Sequence, residues 1–239
     1  MSEKFGGQVV LVAGGTGGLG RAVSLAFLRE GARVAVTYRK QEEFDALQKA
    51  AGADGLRLTG YVADVTDEAA AGQLIGKILA QYGRLDALVN AVGGYAGGAK
   101  LWDGEAKVIE QMLALNFRSG YALSRAAVPA MLSRKHGAIV NIAGKAALEH
   151  PAGAAAYAAS KAAALALFDS LAAELKGSGV RVNSVLPSII DTPANRKAMP
   201  KADFSQWPKP EDIAHVILFL CGDDAAVVHG AAIPVYGSS

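Results

Sequence analysis

One α/β domain, built on a doubly wound parallel sheet of about seven strands flanked by helices, is the fold class this sequence predicts. Three observations predict it. Short apolar runs alternate with helix-patterned stretches along all 239 residues, the signature of strands joined by crossover helices. Several runs, such as "VVLVA", "LDALVN" and "RVNSVL", are almost continuously apolar, as expected of strands covered on both faces. A glycine-rich turn stands between the first run and the first helical stretch, where such folds take a ligand.

The elements follow in order. An apolar run near 8–13 leads into a helix near 18–30, and the run near 33–37 into a helix near 42–52. A strand near 56–62 precedes a helix near 67–81, and one near 85–90 precedes two helical stretches near 104–115 and 117–134. Strands near 137–142 and 180–186 enclose an Ala-rich helix near 154–176, and a helix near 211–221 precedes a last strand near 231–235. No linker, repeat or low-complexity tract divides residues 1–239, so one domain is expected. The longest irregular segment, 187–210, carries Pro187, Pro193, Pro200, Pro208 and Pro210. A loop of that length in a compact domain is usually functional, here a substrate lid, the alternative being a passive surface excursion.

Composition excludes several function classes. Hydrophobic residues at 51% against charged residues at 19% argue against disorder. No apolar run reaches the roughly 18 residues of a membrane span, and the opening "MSEKFGGQ" has no apolar core of an export signal. A single cysteine, Cys221, within "AHVILFLCGDD", reads as a buried structural thiol and suits a reducing cytoplasm. A net charge of +2 with scattered basic residues points away from nucleic acid. His136, His150, His215 and His229 show no metal-ligand spacing, so no metal is expected.

The turn "VAGGTGGLGRA" places Gly14, Gly18 and Gly20 where a strand meets a helix. Glycines there allow a tight turn and close backbone approach, and the helix N-terminus offers unpaired N–H groups to a pyrophosphate. This is the arrangement of a Rossmann dinucleotide fold. Folds of this kind that choose NAD place an acid roughly 20 residues further on, for the ribose 2′-hydroxyl. Here the second strand ends "AVTYRK", with no carboxylate and with Arg39 and Lys40 where a 2′-phosphate would sit. The expectation is NADPH in preference to NADH, with NADH still possible. The alternative is that both cations are solvated loop charges.

At the other end of the chain, Tyr157 and Lys161 lie one helical turn apart on one face. An ammonium beside a phenol favours phenolate, lowering a pKa of about 10 by roughly 1–3 units toward useful acid–base chemistry.

With these residues in view, the chain resembles the short-chain dehydrogenase/reductase family across essentially its whole length. The resemblance rests on "AGGTGGLG" at 13–20, "ADV" at 63–65, "LVNAVGG" at 88–94, Asn116, "YAASK" at 157–161 and "GAAIPVYG" at 230–237. It implies that Tyr157 is the catalytic acid/base, that Lys161 binds the nicotinamide ribose and lowers the tyrosine pKa, and that Asn116 holds a water in a proton relay. It further implies Asp64 and Val65 beside the adenine, Asn90 supporting the cofactor strand, and Thr192 near the nicotinamide carboxamide. Thr16, Leu19, Val92, Gly93, Pro187 and Ile190 complete the implied cofactor contacts, and association into a dimer or tetramer is implied as well. The helix "AAYAASKAAALALFDSLAAEL" at 155–175, apolar on more than one face, suits such packing.

One member of the family's set is missing. The serine that polarises a substrate carbonyl stands thirteen residues before the tyrosine, and that position here is Gly144. Loss of such a donor typically costs on the order of 10²–10³ in rate. Lys145 is adjacent, but its backbone position aims it elsewhere. "NAVGGYAGG" at 90–98, "AGKAAL" at 143–148 and "DTPANRKAMPKADFSQW" at 191–207 resemble the dihydropteridine reductase branch, which keeps the Tyr-x3-Lys pair without the serine. That resemblance implies reduction of a quinonoid dihydropterin to the tetrahydropterin, with Tyr95, Gly144, Lys145 and Asn195 at the substrate. Tyr95 departs from the tryptophan this branch carries, and the branch's acid for NADH is absent. The missing serine fits such a change of substrate, so pterin reduction is the leading expectation despite these two departures. An NADPH-dependent carbonyl or 3-oxoacyl-thioester reductase is the alternative, and a non-catalytic NADP(H)-binding regulator the third.

Overall fold

The computed structural model describes residues 3–238. Seven strands form one parallel sheet: β1 Val9–Ala13, β2 Arg33–Tyr38, β3 Leu58–Val62, β4 Ala87–Asn90, β5 Gly137–Ile142, β6 Val180–Pro187 and β7 Ala232–Val235. Their spatial order is β3-β2-β1-β4-β5-β6-β7. The helices are α1 Gly18–Arg29, α2 Gln41–Ala51, α3 Glu68–Tyr82, α4 Ala106–Leu113, α5 Ser119–Arg134, α6 Ala146–Glu149, α7 Ala155–Glu174, α8 Pro193–Ala198 and α9 Pro210–Cys221.

The strands form here because their Val-, Leu- and Ile-rich runs can be covered twice; every residue of β1, β4 and β5 is buried. Alternate side chains feed two cores. Val10 and Val12 of β1 face α1 and α9, packing near Val23, Phe27, Ile213 and Ile217. Val9, Leu11 and Ala13 face α3, α5 and α7, near Leu74, Leu123 and Phe168. Since β1 is flanked by β2 on one side and β4 on the other, the chain reverses direction across the sheet there. That switch point leaves a crevice beyond the strand ends.

Three boundaries differ from expectation, each for a local reason. Residues Gly52–Arg57 form a 3₁₀ turn, so β3 begins at Leu58 rather than near 56. The two helical stretches expected to part at residue 116 are one continuous rod, joined by a π turn over Ala114–Arg118. Segment 187–210 is not wholly irregular. Thr192 accepts a hydrogen bond from the Asn195 N–H, Pro193 opens the helix, and α8 follows; Thr-Pro is a capping signature that the proline count had masked.

Asp86, just before β4 and so at the opposite end of the strands from the crevice, ties strand to strand. Its buried carboxylate accepts from the Val9 N–H at 2.8 Å and from Arg84 Nε and Nη2 at 2.7 and 2.6 Å. Cys221 is buried as expected, and burial pushes its thiol up to about 12. Among the described residues no helix is long and apolar enough to cross a membrane.

Candidate active site

The crevice at the switch point is a cleft of about 350 Å³. The glycine turn forms its floor. Gly14 has φ +73°, a conformation open to glycine at little cost, and its N–H donates to Thr37 Oγ1 at 2.7 Å. A Cβ on Gly20 would lie 2.1 Å from the Gly14 carbonyl oxygen, so only glycine lets α1 start this close to β1. The first turn of α1 has neither a side-chain cap nor an acidic residue, which leaves its N–H groups and positive dipole end available to an anion. Leu19 is buried and anchors that turn. A Cβ on Gly18 would meet Thr192 Cγ2 at 2.8 Å, so the segment after β6 closes against the same turn.

Thr16, Arg39, Lys40, Asp64, Val65, Val92 and Gly93 all line the cleft. Asp64 accepts from the Thr66 hydroxyl and N–H, and those bonds hold its carboxyl below the usual carboxylate range. Asn90, buried at the end of β4, braces the wall: Nδ2 donates to Ser119 Oγ and Asn141 Oδ1 at 3.4 Å each. Tyr38, Glu43 and Leu115 also line the cleft and were not singled out by sequence reading. The turn, the exposed N–H groups and the cations at the mouth can hold a dinucleotide.

The chemical end is built by α7. Lys161 is buried, and its Nζ donates to the Ile142 carbonyl at 2.8 Å. Burial lowers its pKa to about 8. Nζ stands 6.0 Å from the centroid of the Tyr157 ring. The expected lowering of the tyrosine pKa is not what this environment produces. Burial pushes the Tyr157 hydroxyl up, and the neighbouring Tyr95 adds to the rise, because desolvation of a phenolate outweighs an ammonium turned toward a main-chain carbonyl. A Cβ on Gly93 would come within 2.9 Å of Asn116 Oδ1 and 3.3 Å of Lys161 Nζ, so Asn116 and the lysine converge on one glycine.

Asn116 sits inside the π turn, where one extra residue rotates its side chain inward; such bulges cluster at functional sites. Oδ1 accepts from the Gly94 N–H at 2.9 Å, while Nδ2 donates to the Gly94 carbonyl at 3.0 Å and to Ser160 Oγ at 2.9 Å. Its side chain clamps the loop after β4 to α7.

The residues expected at the substrate divide into two groups. Gly144 faces the tyrosine: a Cβ there would stand 3.5 Å from the Tyr157 hydroxyl. Its φ is +135°, a backbone state that a serine adopts only with strain. Tyr95 is 67% exposed and packs edge-on against Tyr157. Lys145 and Asn195, by contrast, serve the scaffold. The Lys145 N–H donates to the Pro187 carbonyl at 2.8 Å, and its Nζ lies 3.4 Å from Glu149 and over the ring of Tyr236. Asn195 Nδ2 donates to the Ile190 carbonyl at 2.8 Å, holding the turn that leads into α8. Among the described residues no cluster of His, Cys, Asp and Glu could hold a metal ion.

Residues 8–203 match the family model described as short chain dehydrogenase. The chain is 32% identical to a 3-oxoacyl-[acyl-carrier-protein] reductase of Thermotoga maritima, over 97% of each chain. Among solved structures, ElxO with NADP bound superposes with a TM-score of 0.91 at 28% identity, covering 96% of this chain and 97% of that one. An NAD+-bound xylitol dehydrogenase gives 0.90 at 26% identity, covering 98% and 99%. These names run to oxoacyl and polyol compounds, and the expected likeness to dihydropteridine reductase in particular has no counterpart among them. Fold, glycine turn and relatives agree: this chain belongs to the short-chain dehydrogenase/reductase family and is an NAD(P)-dependent oxidoreductase.

Proposed function

We propose that the protein reduces a carbonyl compound, of the ketone or 3-oxoacyl-thioester class, at the expense of NADPH. The observation that carries the reading is the placing of Tyr157, whose hydroxyl faces Gly144 and whose ring centroid lies 6.0 Å from the buried Lys161 Nζ. Its phenol, pushed up by burial, is protonated at neutral pH and can donate to a carbonyl oxygen as charge develops there. The names of the relatives, which include oxoacyl and polyol enzymes, support a carbonyl over a pterin.

The glycine turn and α1 would hold the pyrophosphate, Asp64 and Val65 the adenine side, and Arg39 with Lys40 a 2′-phosphate. The nicotinamide cofactor supplies the hydride when bound. Tyr157 gives its hydroxyl proton to the carbonyl oxygen as negative charge develops there. Lys161, with a pKa of about 8, is still largely cationic at neutral pH and stabilises the phenolate left behind. Asn116 positions the Gly94 backbone at the edge of the site. The segment 187–210, braced by Asn195 and the Asp191–Arg196 ion pair, would form the wall over the substrate. Self-association through the small-residue face of α7 is part of this proposal, and light scattering that finds only monomer at micromolar concentration would remove it.

Gly144 favours a second reading. A conjugated quinonoid dihydropterin accepts hydride more readily than an isolated ketone and needs no serine aimed at one oxygen. The test follows NADPH oxidation with a panel of ketones and 3-oxoacyl thioesters beside freshly generated quinonoid dihydropterin. Fast carbonyl turnover, reduced about 10²-fold or more by Tyr157→Phe, is the expected result. Fast pterin turnover with weak carbonyl rates would replace the first reading with the second.

A further inference from the structure

The adenosine end of the cleft contains a carboxylate that position along the strand did not announce. Glu43 lies in the first turn of α2, three residues beyond Lys40, and reaches back to line the cleft with Thr16, Arg39 and Lys40. Its Oε2 accepts a hydrogen bond from Thr16 Oγ1 at 3.2 Å, and its Oε1 stands 3.8 Å from Lys40 Nζ. These are the groups a 2′-phosphate would use. The second cation, Arg39, lines the same cleft as Asp64.

We propose that Glu43 is a specificity-determining residue for the cofactor. Its carboxylate occupies Thr16 and Lys40 and sets a resident negative charge against the 2′-phosphate, drawing NADPH and NADH toward parity. A ribose 2′-hydroxyl meets no such repulsion. The side chain is 46% exposed, so it can turn outward when the phosphate enters. The proposal rests on the reading of this cleft as the dinucleotide site. The bland reading is a first-turn acid that merely favours the helix dipole.

Equilibrium titration separates them. NADPH, NADH, adenosine 2′-monophosphate and adenosine 5′-monophosphate are titrated into the wild-type protein and Glu43→Gln at low and high salt, alongside thermal melts. NADPH and the 2′-monophosphate are expected to bind about fivefold tighter to the variant, with NADH and the 5′-monophosphate within about twofold of wild type. The gain should shrink at roughly 1 M salt, where the screening length falls to about 3 Å. A lower melting temperature with an unchanged NADPH-to-NADH ratio would assign Glu43 to the helix alone and overturn the proposal. A wild-type preference for NADH defeats only the assignment of Arg39 and Lys40, because the shift on substitution is read separately. Failure to bind either dinucleotide overturns both.

Discussion

The ring of Tyr95 meets the ring of Tyr157 edge-on, with centroids 4.9 Å apart and planes at 73°. This contact joins the loop after β4 to the helix carrying the proton donor. Removing it alters the acidity of Tyr157 as well as the shape of the site. In the reductive direction Tyr157 must be protonated, so activity falls as pH rises through its pKa. That pKa is raised first by burial and then by Tyr95. Tyr95→Ala weakens both causes, and the alkaline limb of the kcat/KM profile should move to lower pH. An unshifted limb would show that Tyr95 does not act on the donor.

Lys161 links pH to stability. Its pKa is about 8 in the folded protein against roughly 10.4 in an unfolded chain. Below pH 8 both states are protonated, and the folded state bears the cost of a buried ammonium. Between about pH 8 and 10.4 the unfolded chain binds more protons, so this residue's contribution to stability rises with pH. Relative to Lys161→Met, the wild type should gain about 3 kcal/mol across that window. Urea unfolding of both proteins at pH 7 and pH 10 measures it, and parallel curves would exclude a depressed pKa.

Gly144 lacks a hydroxyl in a backbone state that discourages one. Neighbouring bonds, Ala143 N–H to the Val185 carbonyl at 2.9 Å and Lys145 N–H to the Pro187 carbonyl at 2.8 Å, hold the segment on either side. Gly144→Ser should therefore lose about 1–3 kcal/mol of stability and raise ketone reduction by less than tenfold. Melting curves and kcat/KM on a ketone panel decide. A variant as stable as wild type and about 10²-fold faster would mean that the missing serine is the limitation.

Asp86 is far from the chemistry and should matter only to the fold. Asp86→Ala strands the Val9 N–H and leaves Arg84 without its two-pronged partner. The expected loss is about 2–4 kcal/mol, read by urea denaturation, with KM for substrate unchanged in the folded fraction. A loss below about 0.5 kcal/mol would show that water replaces both bonds.

The seven strands, their parallel arrangement and the glycine turn were legible in the sequence because burial on both faces and a tight strand-to-helix turn each restrict residue type locally. The pairing of Tyr157 with Lys161 on one helical face was legible for the same reason: their spacing is a property of one helix. The 3₁₀ turn ahead of β3 and the short α8 were harder, since single-turn elements carry too few residues for a period to emerge. The tertiary structure alone decided that Lys161 turns its ammonium to Ile142, that burial raises rather than lowers the Tyr157 pKa, and that Glu43 folds back into the adenosine cleft. It also decided that Asn195 and Lys145 brace the scaffold. Each of these depends on which distant group ends up nearby and how much water is left between them. Hydrogen bonding and desolvation act through space, whereas the periodicity of a chain records only which side of its own element is covered.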